Sequence, residues 1–188
     1  MDPVIGWVFG YGSLVAVDVG EPGIDGAAAR PGTLKNWRRG WNVAMDNASA
    51  ESDTKYFLDP DTGQRPDIYV AWLNVYQRTG AHVNGVFLPT TAAALAALDL
   101  RERNYRRVEV SEGASLATHL PIWTYTGLAA GVERFRVGLA TGALFVSSDY
   151  HEICRQAFLS RGRTFADRFD DTTDPLPAPL RRLLLVRA

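Results

Sequence analysis

The sequence has one cysteine, Cys154, no surplus of charge and no long apolar run. A single thiol excludes an internal disulfide and zinc-finger spacing, and so predicts a cytoplasmic protein. Twenty Lys and Arg residues balance 21 Asp and Glu residues, and the net charge of −1 creates no global field that would attract nucleic acid or an anionic membrane. No segment approaches the ~20 apolar residues that span a bilayer, and the N-terminal residues lack the basic segment of a signal peptide. We therefore expect neither a nucleic-acid partner nor a membrane anchor.

The composition that remains is typical of one globular domain. The chain has 188 residues, of which 46% are hydrophobic. This length falls within the usual range of roughly 100–200 residues per domain and is enough to bury a stable core. Because there is also no internal repeat and no low-complexity segment, we predict a single domain over residues 1–188.

Apolar patterning predicts several short strands and a few helices. The predicted strands are 4–9, 38–45, 68–76, 83–88, 105–110 and 120–125. One helix is predicted from a cap at Thr90 or Thr91 to about Arg103, and a second from Asp149 to a stop at Gly162, followed by one or two further helical turns. Strands and helices do not alternate strictly, which favours an α+β fold over a doubly wound parallel sheet.

Two segments lack such patterning. Residues 17–32 are rich in Gly, Ala, Pro and acidic residues and are predicted as a loop. Residues 47–67 contain Asp, Ser, Pro and Gly around a brief apolar patch, 56–58, and are predicted as a mobile insertion. The insertion is either a lid over a site or a tolerated excursion.

A glycine-rich turn follows the first predicted strand, at residues 9–14 (FGYGSL). A dinucleotide fingerprint would need glycine in place of Val15, and a Walker loop would need a Gly-Lys pair. A nucleophile elbow would need glycine in place of Tyr11. Two interpretations remain. The segment is a tight turn, or it is a strand-end loop whose backbone N–H groups bind a ligand oxygen.

The end of the first predicted helix concentrates charge around Glu102. Such a helix end is usually a solvated face. The functional alternative is that Glu102 turns inward as a general base. Asp99 is a second candidate for the inward carboxylate, or a partner for a neighbouring arginine, and periodicity does not separate these possibilities.

Other residues capable of chemistry are predicted to be structural. His82, His119 and His151 show no metal-ligand spacing, so we predict no metal site. Cys154 falls on the apolar face of the last helix, where a free thiol behaves as a small hydrophobe. Four tryptophans that no basic stripe accompanies are assigned to the core: Trp37, Trp41, Trp72 and Trp123.

Three segments, taken together, resemble the γ-glutamylcyclotransferase-like superfamily. They are residues 8–14 (VFGYGSL), 84–87 (NGVF) and 98–102 (LDLRE), the last followed by Tyr105. Tyr150, at the start of the last helix, is similar to a tyrosine that members of the superfamily place near their site. The resemblance covers residues 4–15 and 83–160.

The resemblance implies a small mixed β-barrel flanked by helices, with Glu102 as the catalytic acid/base. The residues implied to bind the glutamyl group are Tyr11, Gly12, Ser13, Leu14, Tyr105 and Tyr150. In this chemistry the substrate supplies its own nucleophile, an α-amine that attacks the γ-carbonyl to form 5-oxoproline and release an amine. No metal, nucleotide or redox cofactor is implied.

The resemblance leaves the substrate open among glutathione, γ-glutamyl dipeptides and γ-glutamyl amines. Arg101 and Arg103 flank Glu102, and Asn104 and Tyr105 follow it, where some relatives carry glycines, so we expect the local turn and the contacts to the distal part of the substrate to differ. The oligomeric state is also open, a homodimer included. Two other functions compete with the cyclotransferase: a non-catalytic binding or regulatory protein of the same fold, and a serine hydrolase that uses Ser13 with a histidine.

Overall fold

The computed structural model describes residues 2–16, 24–52 and 55–187. Residues 17–23 of the predicted loop and residues 53–54 of the predicted insertion lie outside this description. The strands are β1 (Val4–Gly10), β2 (Arg30–Asp46), β3 (Lys55–Leu58), β4 (Tyr69–Thr91), β5 (Tyr105–Glu109), β6 (Ile122–Gly127), β7 (Leu144–Ser147), β8 (Leu180–Arg181) and β9 (Leu184–Arg187). The helices are α1 (Ala92–Arg101), α2 (Ala129–Thr141), α3 (Ser148–Leu159) and α4 (Arg163–Asp171).

Strand β4 organises the main sheet. It pairs with β2 along most of its length, with β1 at its C-terminal end and with β7 at its N-terminal end. The sheet order is β5-β6-β1-β4-β7-β8, with β2 also paired to β4, and it mixes parallel with antiparallel pairs. This mixed sheet with its flanking helices confirms the predicted α+β class.

The sequence predicted two strands where β4 runs as one strand of 23 residues. Residues 78–81 bulge out of the strand opposite Asn36, and most of them are exposed. Polar residues are therefore tolerated there, and they interrupt the apolar pattern from which the two strands were predicted. Asn36 has a φ of 64°, and its side-chain oxygen accepts a hydrogen bond from Gly80 N at 3.0 Å. Strands β2 and β4 pair with each other on both sides of this bulge.

Helix α1 begins as predicted, because the Thr91 hydroxyl accepts a hydrogen bond from Ala94 N at 3.2 Å. Helix α2 was not predicted. Two glycines lower its helix propensity, yet both are buried and let the helix lie close to the sheet. A Cβ on Gly131 would lie 2.8 Å from Val43 Cγ1, and one on Gly138 would lie 2.6 Å from Tyr69 Cβ.

A second sheet joins the predicted insertion to the C-terminal segment of the chain. The apolar patch at 56–58 belongs to β3, which pairs antiparallel with β9. Phe57 is buried, and its backbone N–H donates to Asn47 Oδ1 at 2.7 Å while Asn47 Nδ2 donates to Phe57 O at 3.0 Å. We call β3 and β9 together the β3–β9 ribbon. The ribbon is attached to the main fold through these contacts, and the mobility of the insertion stays a prediction.

Beneath α3 and α4, one arginine is fully buried. Arg39 lies with its guanidinium carbon 4.7 Å from the ring centroid of Phe158 and 4.5 Å from that of Phe169. Its Nη2 donates to the backbone and side-chain oxygens of Asn84, and its Nη1 donates to Thr173 Oγ1 at 3.0 Å. Burial lowers the pKa of Arg39 to about 9. These contacts tie β2 and β4 to the two C-terminal helices.

Gly85 allows β4 to approach β1 closely. A Cβ at this position would collide with the carbonyl oxygen of Gly10 and lie 2.5 Å from Phe9 Cζ. We expect Gly85→Ala to lower the free energy of unfolding by about 1–3 kcal/mol, the usual cost of overpacking. Denaturant titration measures this change, with Thr79→Ala on the exposed part of the same strand as the control. Equal stability of Gly85→Ala and the wild type would show that the two strands can separate without cost.

Candidate active site

A cavity of about 50 Å³ lies where β1 ends and the chain enters a short 3₁₀ turn, Ser13–Val15. All the residues that the sequence analysis assigned to the site line this cavity: Tyr11, Gly12, Ser13, Leu14, Glu102, Tyr105 and Tyr150. They come from the loop after β1, the end of α1, the start of β5 and the start of α3. The lining residues that the sequence analysis missed are Phe9, Gly10, Leu73 and Tyr125. Assembly of one cavity from distant segments is a structural result, and the role of each residue stays a prediction.

The loop after β1 is both a tight turn and a wall of the cavity. Val15 N donates to Gly12 O at 3.0 Å, and Ala16 N donates to Ser13 O at 3.2 Å. The small size of Gly12 keeps the loop near the opposite wall, since a Cβ there would lie 3.4 Å from Tyr150 Oη and 3.5 Å from a methyl carbon of Leu73. The two interpretations of this glycine-rich segment are therefore compatible.

The helix end separates the two candidate carboxylates. Glu102 caps α1, and its N–H donates to Leu98 O at 2.9 Å. It lies four residues after the buried Leu98, on the same helix face, so its side chain reaches the cavity with 19% exposure. Asp99 is 41% exposed and lies outside the cavity lining. The structure therefore brings Glu102, and not Asp99, to the site.

Asp99 instead supports the wall from outside. Its Oδ1 accepts a hydrogen bond from Tyr125 Oη at 2.7 Å, and its Oδ2 lies 3.1 Å from Arg107 Nη1. Glu102 has a different neighbour, because Arg101 Nε lies 3.4 Å from Glu102 Oε1. Asp99 therefore lies where the second interpretation placed it, at the helix end beside an arginine.

Three tyrosines that line the cavity are kept neutral by burial. Burial raises the pKa of Tyr11, Tyr105 and Tyr150 well above 10, with further increases from Glu102 for Tyr11, from Tyr11 for Tyr105 and from Cys154 for Tyr150. Tyr11 Oη donates to the backbone oxygen of Tyr125 at 2.7 Å, and Tyr105 Oη donates to that of Leu73 at 2.7 Å. These phenols therefore fix the shape of the cavity and carry no charge at neutral pH.

A larger cleft of about 1120 Å³ shares four lining residues with the small cavity. The shared residues are Ser13, Glu102, Tyr105 and Tyr150. Trp72 lines the cleft, and its ring centroid lies 4.5 Å from that of Tyr150. Because Glu102 faces both spaces, a substrate can place one part in the cavity and the other part in the cleft.

Histidines and the lone cysteine lie outside this site's chemistry. Among the described residues, no histidine lines the cavity or the cleft, and His151 packs against Trp41 with ring centroids 5.7 Å apart. Ser13 thus has no imidazole base there, which argues against the serine hydrolase. Cys154 is buried, as predicted, and burial raises its pKa to about 12. Such a thiol is unreactive at neutral pH.

Neither a cluster of metal ligands nor a membrane-spanning helix is found in the part of the chain that the structure describes. Within residues 2–16, 24–52 and 55–187, no three His, Cys, Asp or Glu side chains are grouped to hold a metal ion. In the same part of the chain, no helix combines the length and the apolar character needed to cross a bilayer.

The fold is similar to that of solved γ-glutamylcyclotransferase-like structures. A solved structure titled γ-glutamyl cyclotransferase aligns with a TM-score of 0.53 and 14% identity, over 94% of this chain and 93% of that one. An uncharacterized protein from Homo sapiens aligns with a TM-score of 0.54 and 14% identity, over 94% and 92% of the two chains. YkqA from Bacillus subtilis aligns with a TM-score of 0.53 and 16% identity, over 92% of this chain and 55% of that one.

Sequence comparison adds no closer relative. No family model matches the chain, and no curated protein matches it in sequence. At identities of 14–16% the structural likeness shows the fold. The predicted resemblance is thus confirmed for the fold.

Proposed function

We propose that the protein is an enzyme that converts a γ-glutamyl compound into 5-oxoproline and a free amine. The observation that carries this proposal is the small cavity, where a carboxylate, a turn with small residues and neutral tyrosines meet. The substrate class comes from the resemblance of the sequence and from the shared fold. The convergence of separate sequence segments on one cavity supports that choice.

The proposed reaction is intramolecular. The α-amine nitrogen of the substrate forms a bond to its own γ-carbonyl carbon, and the bond from that carbon to the leaving nitrogen then breaks. Glu102 accepts the proton that the attacking nitrogen loses and donates a proton to the leaving nitrogen, so the carboxylate is restored. A cavity that holds the glutamyl group folded supplies the main advantage, since orientation of reacting groups can lower a barrier by several kcal/mol.

The geometry suits this division of roles. Glu102 lies at the boundary between the cavity and the cleft, where the scissile bond would lie if the glutamyl group filled the cavity. The loop after β1 provides backbone groups close to the substrate oxygens, because Gly12 and Ser13 present little side-chain bulk. The buried phenols of Tyr11 and Tyr105 keep this wall rigid through their bonds to backbone oxygens.

The experiment that tests the function is a substrate panel. Purified protein is incubated with glutathione, γ-glutamyl dipeptides and γ-glutamyl amines, and 5-oxoproline is followed by mass spectrometry. Release of 5-oxoproline from at least one substrate establishes the reaction. A thermal shift induced by a panel member without product would instead support the non-catalytic binding protein.

The size of residue 12 gives a further test of the cavity. We expect Gly12→Val to raise KM about tenfold or to abolish turnover. A Cβ at this position would lie 3.4 Å from Tyr150 Oη, and the methyl groups of valine would extend beyond it into the cavity. Gly12→Ala, the matched control, adds only that Cβ and should have a smaller effect. Steady-state kinetics with the melting temperature of each variant separates loss of binding from loss of fold. Unchanged kinetics for the valine variant would remove the loop from the site.

A further inference from the structure

The cleft beyond Glu102 has one wall built by the β3–β9 ribbon. Lys55 of β3 is paired with Arg187 of β9 in the antiparallel ladder, and both line the cleft. Trp72 of β4 also faces this space. The ribbon therefore brings two cations beside an aromatic side chain, on the side of Glu102 where a leaving group would lie.

Lys55 is a cation without a carboxylate partner among the described residues. Its Nζ lies 4.0 Å from the ring centroid of Trp72, and the side chain is half-buried. Two other cations of the cleft, Arg134 and Arg101, are bonded to the protein. Arg134 Nε donates to Ala44 O at 3.0 Å, and Arg101 pairs with Glu102. Arg103 and Arg187 also line the cleft but are exposed, so the half-buried Lys55 is the cleft cation best placed to bind an anion strongly.

The surroundings of Lys55 favour such an anion. Burial, together with the nearby Arg187 and Arg101, lowers the pKa of Lys55 to about 8, and Glu102 opposes this shift. A partly desolvated ammonium ion gains more from a carboxylate than a fully hydrated one does, because water screens the pair less. Its contact with the Trp72 ring holds the side chain at the wall in the absence of a ligand.

We propose that Lys55, assisted by Arg187, binds a carboxylate on the leaving group of the substrate. The cleft thereby selects γ-glutamyl amino acids or peptides over γ-glutamyl amines that carry no charge beyond the scissile bond. This inference rests on the proposed function, since it names the leaving group of that same reaction. Lys55 acts on specificity and takes no part in the proton transfers assigned to Glu102.

Two substrates that differ only in the carboxylate test the proposal. γ-Glutamylalanine and γ-glutamylethylamine share the glutamyl group and the scissile amide, and only the first has an anionic leaving group. The wild type should show a kcat/KM about tenfold or more higher for γ-glutamylalanine, as a charge-assisted contact predicts. Lys55→Gln should remove most of this preference by raising KM for γ-glutamylalanine, and should leave γ-glutamylethylamine unchanged.

Two further variants control for general effects. Lys55→Arg keeps the charge and should keep the preference. Arg106→Gln removes an exposed cation of β5 outside the cleft lining and should change neither substrate. Equal kcat/KM values in the wild type, or an unchanged preference in Lys55→Gln, would overturn the assignment.

Failure of the proposed reaction gives a different result, namely no product from either compound. Equilibrium binding of the same two compounds, measured by calorimetry, then decides the inference. Tighter binding of γ-glutamylalanine that Lys55→Gln abolishes would support the carboxylate subsite in a binding protein. Equal affinity for the two compounds would reject it.

The pH dependence of the preference provides a separate test. The charged form of Lys55 predominates below about pH 8 and is lost above it, so the ratio of the two kcat/KM values should fall as the pH rises through about 8. The charged groups that face this ammonium are Arg187, Arg101 and Glu102. In Lys55→Arg the ratio should stay constant to about pH 9. A ratio that does not change with pH in the wild type would contradict the role of Lys55.

Discussion

Glu102→Gln should abolish release of 5-oxoproline, lowering kcat by about 10²–10⁴-fold, the usual contribution of a general acid/base. Glutamine has nearly the same shape but neither accepts nor donates the proton that the reaction must move. Glu102 lies at the end of α1 with its backbone N–H bonded to Leu98 O, and the substitution keeps this cap. The variant should therefore keep its melting temperature within a few degrees, while mass spectrometry shows no product above background.

Asp99→Asn is the matched comparison for this prediction. Asp99 belongs to the same helix, but it contacts Tyr125 and Arg107 outside the cavity. We expect Asp99→Asn to reduce turnover much less than Glu102→Gln does. Full activity of Glu102→Gln would show that the mechanism is wrong, and a greater loss in Asp99→Asn would transfer the role to the other carboxylate.

Arg39→Ala should be the most destabilising single substitution, with a loss of about 3–5 kcal/mol in the free energy of unfolding. The change removes a fully buried side chain that is packed against Phe158 and Phe169, and it leaves Thr173 Oγ1 and the oxygens of Asn84 with one donor fewer. Denaturant titration and the melting temperature measure the effect. For a chain of this length, each kcal/mol lowers the melting temperature by about 2–4 °C.

Two variants identify the cause of this loss. Arg39→Met retains much of the volume but no donor, so it should recover the part of the stability that comes from packing. Arg38→Ala removes the neighbouring, partly exposed guanidinium, which pairs with Asp174 at 3.0 Å, and should cost much less. If Arg39→Ala is as stable as Arg38→Ala, the buried arginine is not what holds α3 and α4 to the sheet.

Local patterns predicted the elements whose signals lie close together in the sequence. The run before Gly10 forms β1, the residues from Tyr105 form β5, and Thr91 caps α1. Helix α2 escaped prediction because its glycines are explained only by Val43 and Tyr69, which belong to distant strands. The continuity of β4 likewise depends on pairing with β2 around the bulge.

More of the small cavity than of the cleft could be predicted from the sequence. Helical spacing did not separate the two carboxylates, because Glu102 lies four residues after the buried Leu98 and Asp99 lies four residues after the buried Leu95. Tyr125 had no local signal, because its place follows from the pairing of β5 with β6. Lys55 lies in a polar segment that gave no sign of a site residue. It reaches the cleft only through the pairing of β3 with β9, which are far apart in sequence.

The separation of the β3–β9 ribbon from the main sheet has an evolutionary consequence. Glu102, the proposed proton-transfer group, and the loop after β1 belong to the main fold, whereas Lys55 and Arg187 belong to a two-stranded sheet of their own. Under the proposed function, changes on the ribbon face would therefore alter which amine is released without disturbing the ring-closing step. Related proteins that diverge in the ribbon and retain the small cavity would then share one reaction and differ in their metabolic role.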